Sequence, residues 1–108
     1  MNWKTLSNET ELLHLVSLSF NKPQLIFKHS TTCSISSIAK SRLDRATVDT
    51  LDCWYLDLLS YRLLSNSIAE KFSVHHESPQ VLLIQNGECI YDESHSSIYM
   101  DDILDAVN

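Results

Sequence analysis

Residues 28 to 37 place a cysteine among small hydroxyl side chains: Lys28-His29-Ser30-Thr31-Thr32-Cys33-Ser34-Ile35-Ser36-Ser37. An apolar run, Leu25-Ile26-Phe27, leads into this stretch, and a helical pattern from Ile35 to Leu43 leads out of it. A cysteine at such a strand-to-helix turn meets the first backbone N–H groups of the helix, which have no partner within the helix. Those donors, with the positive end of the helix dipole, favour an anion. A thiolate is such an anion, so the position predicts a Cys33 of lowered pKa and nucleophilic character. Ser34, Ser36 and Ser37 add hydroxyl donors around the sulfur. The competing reading of the same residues is a small cysteine packed beneath a helix start.

Cys33-x-x-Ser36 lacks a second cysteine one helical turn on, so no local thiol can resolve a disulfide at Cys33. That pattern suits monothiol exchange rather than a dithiol cycle. Ser36 is expected to donate a hydrogen bond to the thiolate, or simply to cap the helix. His29, at the end of the preceding strand, is a candidate base or positive neighbour, or else a hydrogen-bonded loop residue. His75-His76 match no zinc-ligand spacing, and no metal site is expected. Cys53 lies among Trp54, Tyr55 and Leu56 and reads as core. Cys89 is the only other thiol that could resolve a disulfide, and nothing in the pattern brings it to Cys33. Asp57 reads as a strand-end carboxylate capping the next segment, with a buried proton-transfer acid as the alternative.

These residues need a scaffold. Asn8 and Glu11 resemble a capping box opening a helix from Glu9 to about Ser19, and Pro23 ends that segment. Trp3 to Leu6 is a short strand or a lead-in. Gln24 to His29 reads as a buried strand, followed by a helix to about Asp44 whose apolar stripe is Ile35, Ile38, Ala39 and Leu43. Leu51 to Leu58 reads as a strand with Cys53, Tyr55 and Asp57 on one face and Asp52, Trp54, Leu56 and Leu58 on the other. Ser60 to Phe72 is a helical stretch, with Leu64, Ile68 and Phe72 in line. After the loop Val74 to Pro79 comes a strand, Gln80 to Gln85. Asn86-Gly87 is a hairpin turn signal, returning through Glu88 to Asp92. Ile98 to Val107 closes the chain as a helix, its acids Asp101, Asp102 and Asp105 on a solvated face. Alternating helices and strands ending in a hairpin predict a mixed sheet.

A length of 108 residues with 44% hydrophobic content suits one domain with one core, residues 1–108. The net charge of −6 argues against nucleic-acid partners and against an anionic membrane surface. No apolar run approaches the ~20 residues of a membrane span. Met1 to Thr5 has no signal-peptide character, so a cytoplasmic location is expected. Three cysteines form no even framework and are expected to be free thiols.

Two stretches together carry a resemblance: Lys28-His29-Ser30-x-Thr32-Cys33-x-Ile35-Ser36 and His76-Glu77-Ser78-Pro79-Gln80. They resemble the signature stretches of the monothiol bacilliredoxins, small thioredoxin-like proteins of the bacillithiol redox system, and the similarity runs over nearly the whole chain. The resemblance implies an α/β, thioredoxin-like three-layer sandwich, its central mixed sheet of four or five strands flanked by four helices. It implies that Cys33 attacks protein–bacillithiol mixed disulfides, with Ser36 in support and Thr32, Ser34, Ser78 and Pro79 contacting substrate. Pro79 matches the cis-proline of thioredoxin-like folds, which exposes the backbone of Ser78 to an extended substrate. Bacillithiol enters as a thiol co-substrate, and no bound cofactor is implied. The partners implied are bacillithiolated client proteins and a low-molecular-weight thiol or partner reductase. One departure stands out: Ser34 follows the cysteine where the family usually has proline, which restores an N–H and adds a hydroxyl at the first helical turn.

Two other functions fit the same residues. One is a non-catalytic adaptor that binds partner strands at the Pro79 groove. The other is a glutaredoxin-like iron–sulfur carrier, which would need a glutathione thiol as co-ligand; after Pro79 the chain runs Val81-Leu82-Leu83 without a glutathione-type glycine signature.

Overall fold

The computed structural model describes residues 1–107. The chain runs β1 (Trp3–Thr5), α1 (Glu9–Leu18), β2 (Gln24–His29), α2 (Ser34–Asp44), β3 (Asp52–Asp57), α3 (Arg62–Phe72), β4 (Gln80–Gln85), β5 (Glu88–Ser94), a 3₁₀ turn (His95–Ser97) and α4 (Met100–Ala106). The five strands form one sheet in the order β1-β3-β2-β4-β5. β1 and β2 run parallel to β3, while β4 is antiparallel to β2 and β5. This is the mixed α/β sandwich expected from the alternation of patterns, with β1 settled as a fifth strand.

Side chains alternate across the strands, so each face of the sheet builds its own core. Leu25, Phe27, Cys53, Val81 and Leu83 pack with Ala39 and Leu43 of α2 and Met100 and Ile103 of α4. Ile26, Trp54, Leu56, Leu82 and Ile84 pack with Leu12 and Leu15 of α1 and Leu64 and Ile68 of α3. The central strands β2 and β4 are buried on both faces, which explains the apolar runs Leu25-Ile26-Phe27 and Val81-Leu82-Leu83-Ile84 at their centres. Cys53 is core, as its neighbours suggested.

Local signals account for the ends of the elements. The Asn8 side chain accepts the Glu11 N–H at 2.8 Å, as an N-cap should. Glu11 reaches back to the N–H and hydroxyl of Ser7, each at 2.8 Å, one residue before the usual capping-box partner. Those bonds hold the Glu11 carboxyl below its ordinary pKa. Asn86 and Gly87 both take positive φ, 55° and 79°, the geometry of a tight hairpin turn. A β-carbon on Gly87 would also stand 2.9 Å from the ring of Phe20. The turn is pinned to the end of α1 by Asn86 N–H to Ser19 O at 2.9 Å and Gly87 N–H to Ser19 Oγ at 3.0 Å.

The stripe expected for α2 is corrected. Ile35 and Ile38 are 44% and 54% exposed, and the inward face is Ser36, Ala39 and Leu43. Spacings of three and four place those residues on one side of the helix, and a serine occupies the inward position nearest the site. The final helix is also shorter than Ile98 to Val107: a 3₁₀ turn at His95–Ser97 precedes it, and Met100 begins the regular helix.

Candidate active site

Cys33 is the N-cap of α2, with extended backbone (φ −105°, ψ 121°), and is partly exposed. Its carbonyl accepts the Ser37 N–H at 3.1 Å as the first helical bond, and its own N–H donates to Ser30 O at 3.2 Å. The sulfur makes no capping hydrogen bond in this conformation. Thr32 and Ser34 flank it and are exposed. Thr32 Oγ1 lies 3.3 Å from Ser30 Oγ.

Ser36 does not meet the sulfur. Its buried hydroxyl lies 2.6 Å from His29 Nδ1 and accepts the Ser30 N–H at 3.0 Å. A helical side chain leans toward the N-terminus of its helix, and from the inward face of α2 that direction leads to the end of β2. The expected bond to the thiolate and the expected capping role are therefore both replaced by a lock on the loop that carries Cys33.

His29 is buried between aromatic rings, its centroid 5.6 Å from Phe27 and 5.5 Å from Tyr55. Burial, and then the Lys40 ammonium, push its pKa below the ordinary value despite opposing pulls from Asp57 and Asp44. Burial thus disfavours the charged ring and weighs against His29 as a positive neighbour. Asp57 accepts the Leu59 N–H at 3.1 Å and the Ser60 hydroxyl at 2.9 Å, the strand-end capping its position suggested.

The Ser78–Pro79 bond is cis. Because Gln80 pairs with Lys28 in antiparallel register, Pro79 stands level with His29, at the sheet end from which the Cys33 loop leaves. Among the described residues, neither main-chain polar group of Ser78 has a hydrogen-bond partner within the chain, and Ser78 Oγ is buried without one. The Pro79 carbonyl accepts the His95 N–H at 3.0 Å, and His95 Nε2 lies 3.0 Å from Glu77 Oε2. The 3₁₀ turn after β5 thus grips the proline loop from the side.

Neither remaining cysteine reaches this end. Cys89 pairs with Ile84, which pairs with Gln24. The length of β2, roughly 16 Å at the usual strand rise, separates that level from His29, far beyond the ~7 Å that a disulfide spans between α-carbons. Cys53 is level with Leu25. Burial pushes both thiols up to about 11.

Two contacts at the site were not foreseen. Lys28, fully buried, reaches Ser65 O at 3.1 Å and His76 Nδ1 at 3.2 Å. Burial lowers its pKa to about 8. Burial followed by the Lys28 charge lowers His76. The sequence signal was a charged residue inside an apolar strand, yet its partner lies 48 positions away. The His95 grip left no sequence signal at all.

The chain matches the monothiol bacilliredoxin family (BrxC) over residues 4–103. It belongs to that family. A solved protein described as a candidate oxidoreductase with a thioredoxin fold is 32% identical, with a TM-score of 0.81 over 94% of this chain and 90% of that one. A Malassezia sympodialis thioredoxin shares the fold at 12% identity and TM-score 0.76, covering 97% of this chain and 87% of its own. Mitochondrial thioredoxin 3 from Saccharomyces cerevisiae does so at 15% identity and TM-score 0.72, covering 95% and 90%. The bacilliredoxin has the thioredoxin fold, and its role is thiol redox chemistry.

Proposed function

We propose that this bacilliredoxin is a monothiol thiol–disulfide oxidoreductase that removes bacillithiol from protein mixed disulfides. Cys33, as thiolate, attacks the bacillithiol sulfur of a client–bacillithiol disulfide. The Cys33–bacillithiol bond forms as the client bond breaks, and the client thiolate leaves and takes up a proton. A second thiol, free bacillithiol or that of a partner reductase, then attacks the enzyme-bound bacillithiol sulfur. The new disulfide carries away the oxidising equivalents and Cys33 returns as thiolate. The observation that carries this reading is a partly exposed N-cap thiol with no second cysteine in reach, at the sheet end where, among the described residues, the Ser78 main chain is unpaired. An extended client segment could pair with Ser78 by strand addition. Bacillithiol would be a co-substrate, with no bound cofactor, and the reducing conditions of a cytoplasm suit free thiols.

Exposure of the reduced protein to oxidised bacillithiol, followed by intact-mass analysis, tests the reading. It predicts one adduct, on Cys33, that a small thiol removes. A Cys33 that takes no adduct would instead favour the adaptor reading, in which the Pro79 groove binds partner strands without turnover. A coloured protein with labile sulfide would favour the cluster carrier.

A further inference from the structure

Lys28 is the only lysine enclosed in the interior among the described residues. β2 carries it on the face opposite His29, beneath α3. An ammonium donates and never accepts, so its bond to His76 fixes Nδ1 as the acceptor and leaves the ring proton on Nε2. The Ser65 hydroxyl stands 3.3 Å from the same Nδ1. Gln80, level with Lys28 on β4 and also buried, donates its amide to the His75 carbonyl at 2.9 Å. Two interior side chains, Lys28 and Gln80, thus hold two consecutive residues of the loop that ends in Ser78-Pro79. A buried charge costs free energy unless its bonds recover it, and a methionine would fill the same space without that cost. What the ammonium adds is directed donors to α3 and to the proline loop.

Adjacent residues on a strand face opposite sides. The end of β2 therefore controls both halves of the site: His29, through Ser36 and Ser30, steadies the cysteine loop, and Lys28 reaches the proline loop. We propose that Lys28 is a positioning residue that sets the Ser78–Pro79 segment against Cys33 from beneath the sheet, through His76. Its consequence for exchange rests on the function proposed above; its hold on the loop does not.

The test uses the full chain with Lys28→Met, His76→Leu and the double variant. Hydrogen exchange at the His95 amide, which is bonded to Pro79 O, reports on the loop without any catalysis. It is expected to speed up at least tenfold in each variant, with the Leu83 amide in mid-sheet changed less than twofold. The KM for a peptide carrying a mixed disulfide is expected to rise about tenfold. Its kcat, and the rate with a small symmetrical disulfide that needs no strand pairing, should stay within twofold. The double variant should be no worse than the worse single one, because both act through one contact. Unchanged His95 exchange, unchanged peptide KM, or an equal loss with the small disulfide would each overturn the proposal. If Lys28→Met fails to fold, His76→Leu decides on the same measurements. If the wild-type protein exchanges no disulfide at all, the functional reading fails, and the His95 amide still decides whether the latch exists.

Discussion

Cys33 differs from the other two thiols in its surroundings, and that difference is measurable. Cys53 is sealed in the core, whereas Cys89, partly exposed like Cys33, donates to Tyr91 O at 3.3 Å; burial raises both thiols to about 11. Brief treatment of the native protein with iodoacetamide near neutral pH should label Cys33 alone, and denaturation should release the other two; mass analysis after proteolysis reads this directly. Cys33→Ser should abolish exchange and leave stability within about 0.5 kcal/mol, as surface substitutions usually do. Ser36→Ala acts differently. It strips a partner from both His29 Nδ1 and the Ser30 N–H in the interior, a loss that costs about 1–3 kcal/mol. Chemical denaturation should show that loss, together with slower exchange at Cys33.

At the scale of elements, the end of β2 is the part on which the site depends, and it is where charge and burial collide. Lys28 titrates near 8 in the folded chain, against an ordinary value of 10.5. Between those values the unfolded chain binds more protons than the folded one, so the contribution of this group to stability rises with pH across the window. Below pH 8 the full cost of the buried charge is present. Stability measured for the wild type minus that for Lys28→Met should therefore rise by about 2 kcal/mol between about pH 7 and pH 9.5. The subtraction removes Cys53 and Cys89, which titrate alike in both proteins. A flat difference would mean that the ammonium is not buried.

The same element marks how far sequence reasoning reaches. β2 and β4 were legible to the residue because each carries a compact apolar run, Leu25-Ile26-Phe27 and Val81-Leu82-Leu83-Ile84, that is buried on both faces of the sheet. The hairpin was legible because Asn86-Gly87 states its backbone chemistry locally. Periodicity failed on α2, where Ile35 and Ile38 look like core but point outward while Ser36 points in. Apolar spacing cannot register a helix whose inward face near the site is polar. Cys33 and the proline loop were legible as paired motifs, whereas the bonds among Lys28, Ser65 and His76 cross three elements and exist only once the sheet has formed.

For the whole molecule, two cores on one sheet keep the two site loops at the same end of that sheet. Ile68, fully buried between α3 and the sheet, tests that dependence: Ile68→Ala should cost about 2–5 kcal/mol by cavity formation. Far-UV circular dichroism against denaturant would check it. The central claim, that Cys33 transfers bacillithiol off a client protein, is tested most directly by following bacillithiol release from a bacillithiolated client with a small thiol as recycling reductant. Wild-type protein should accelerate release catalytically, with many turnovers per molecule, and Cys33→Ser should give the uncatalysed rate. Release at the wild-type rate by Cys33→Ser, or no acceleration by either protein, would contradict it.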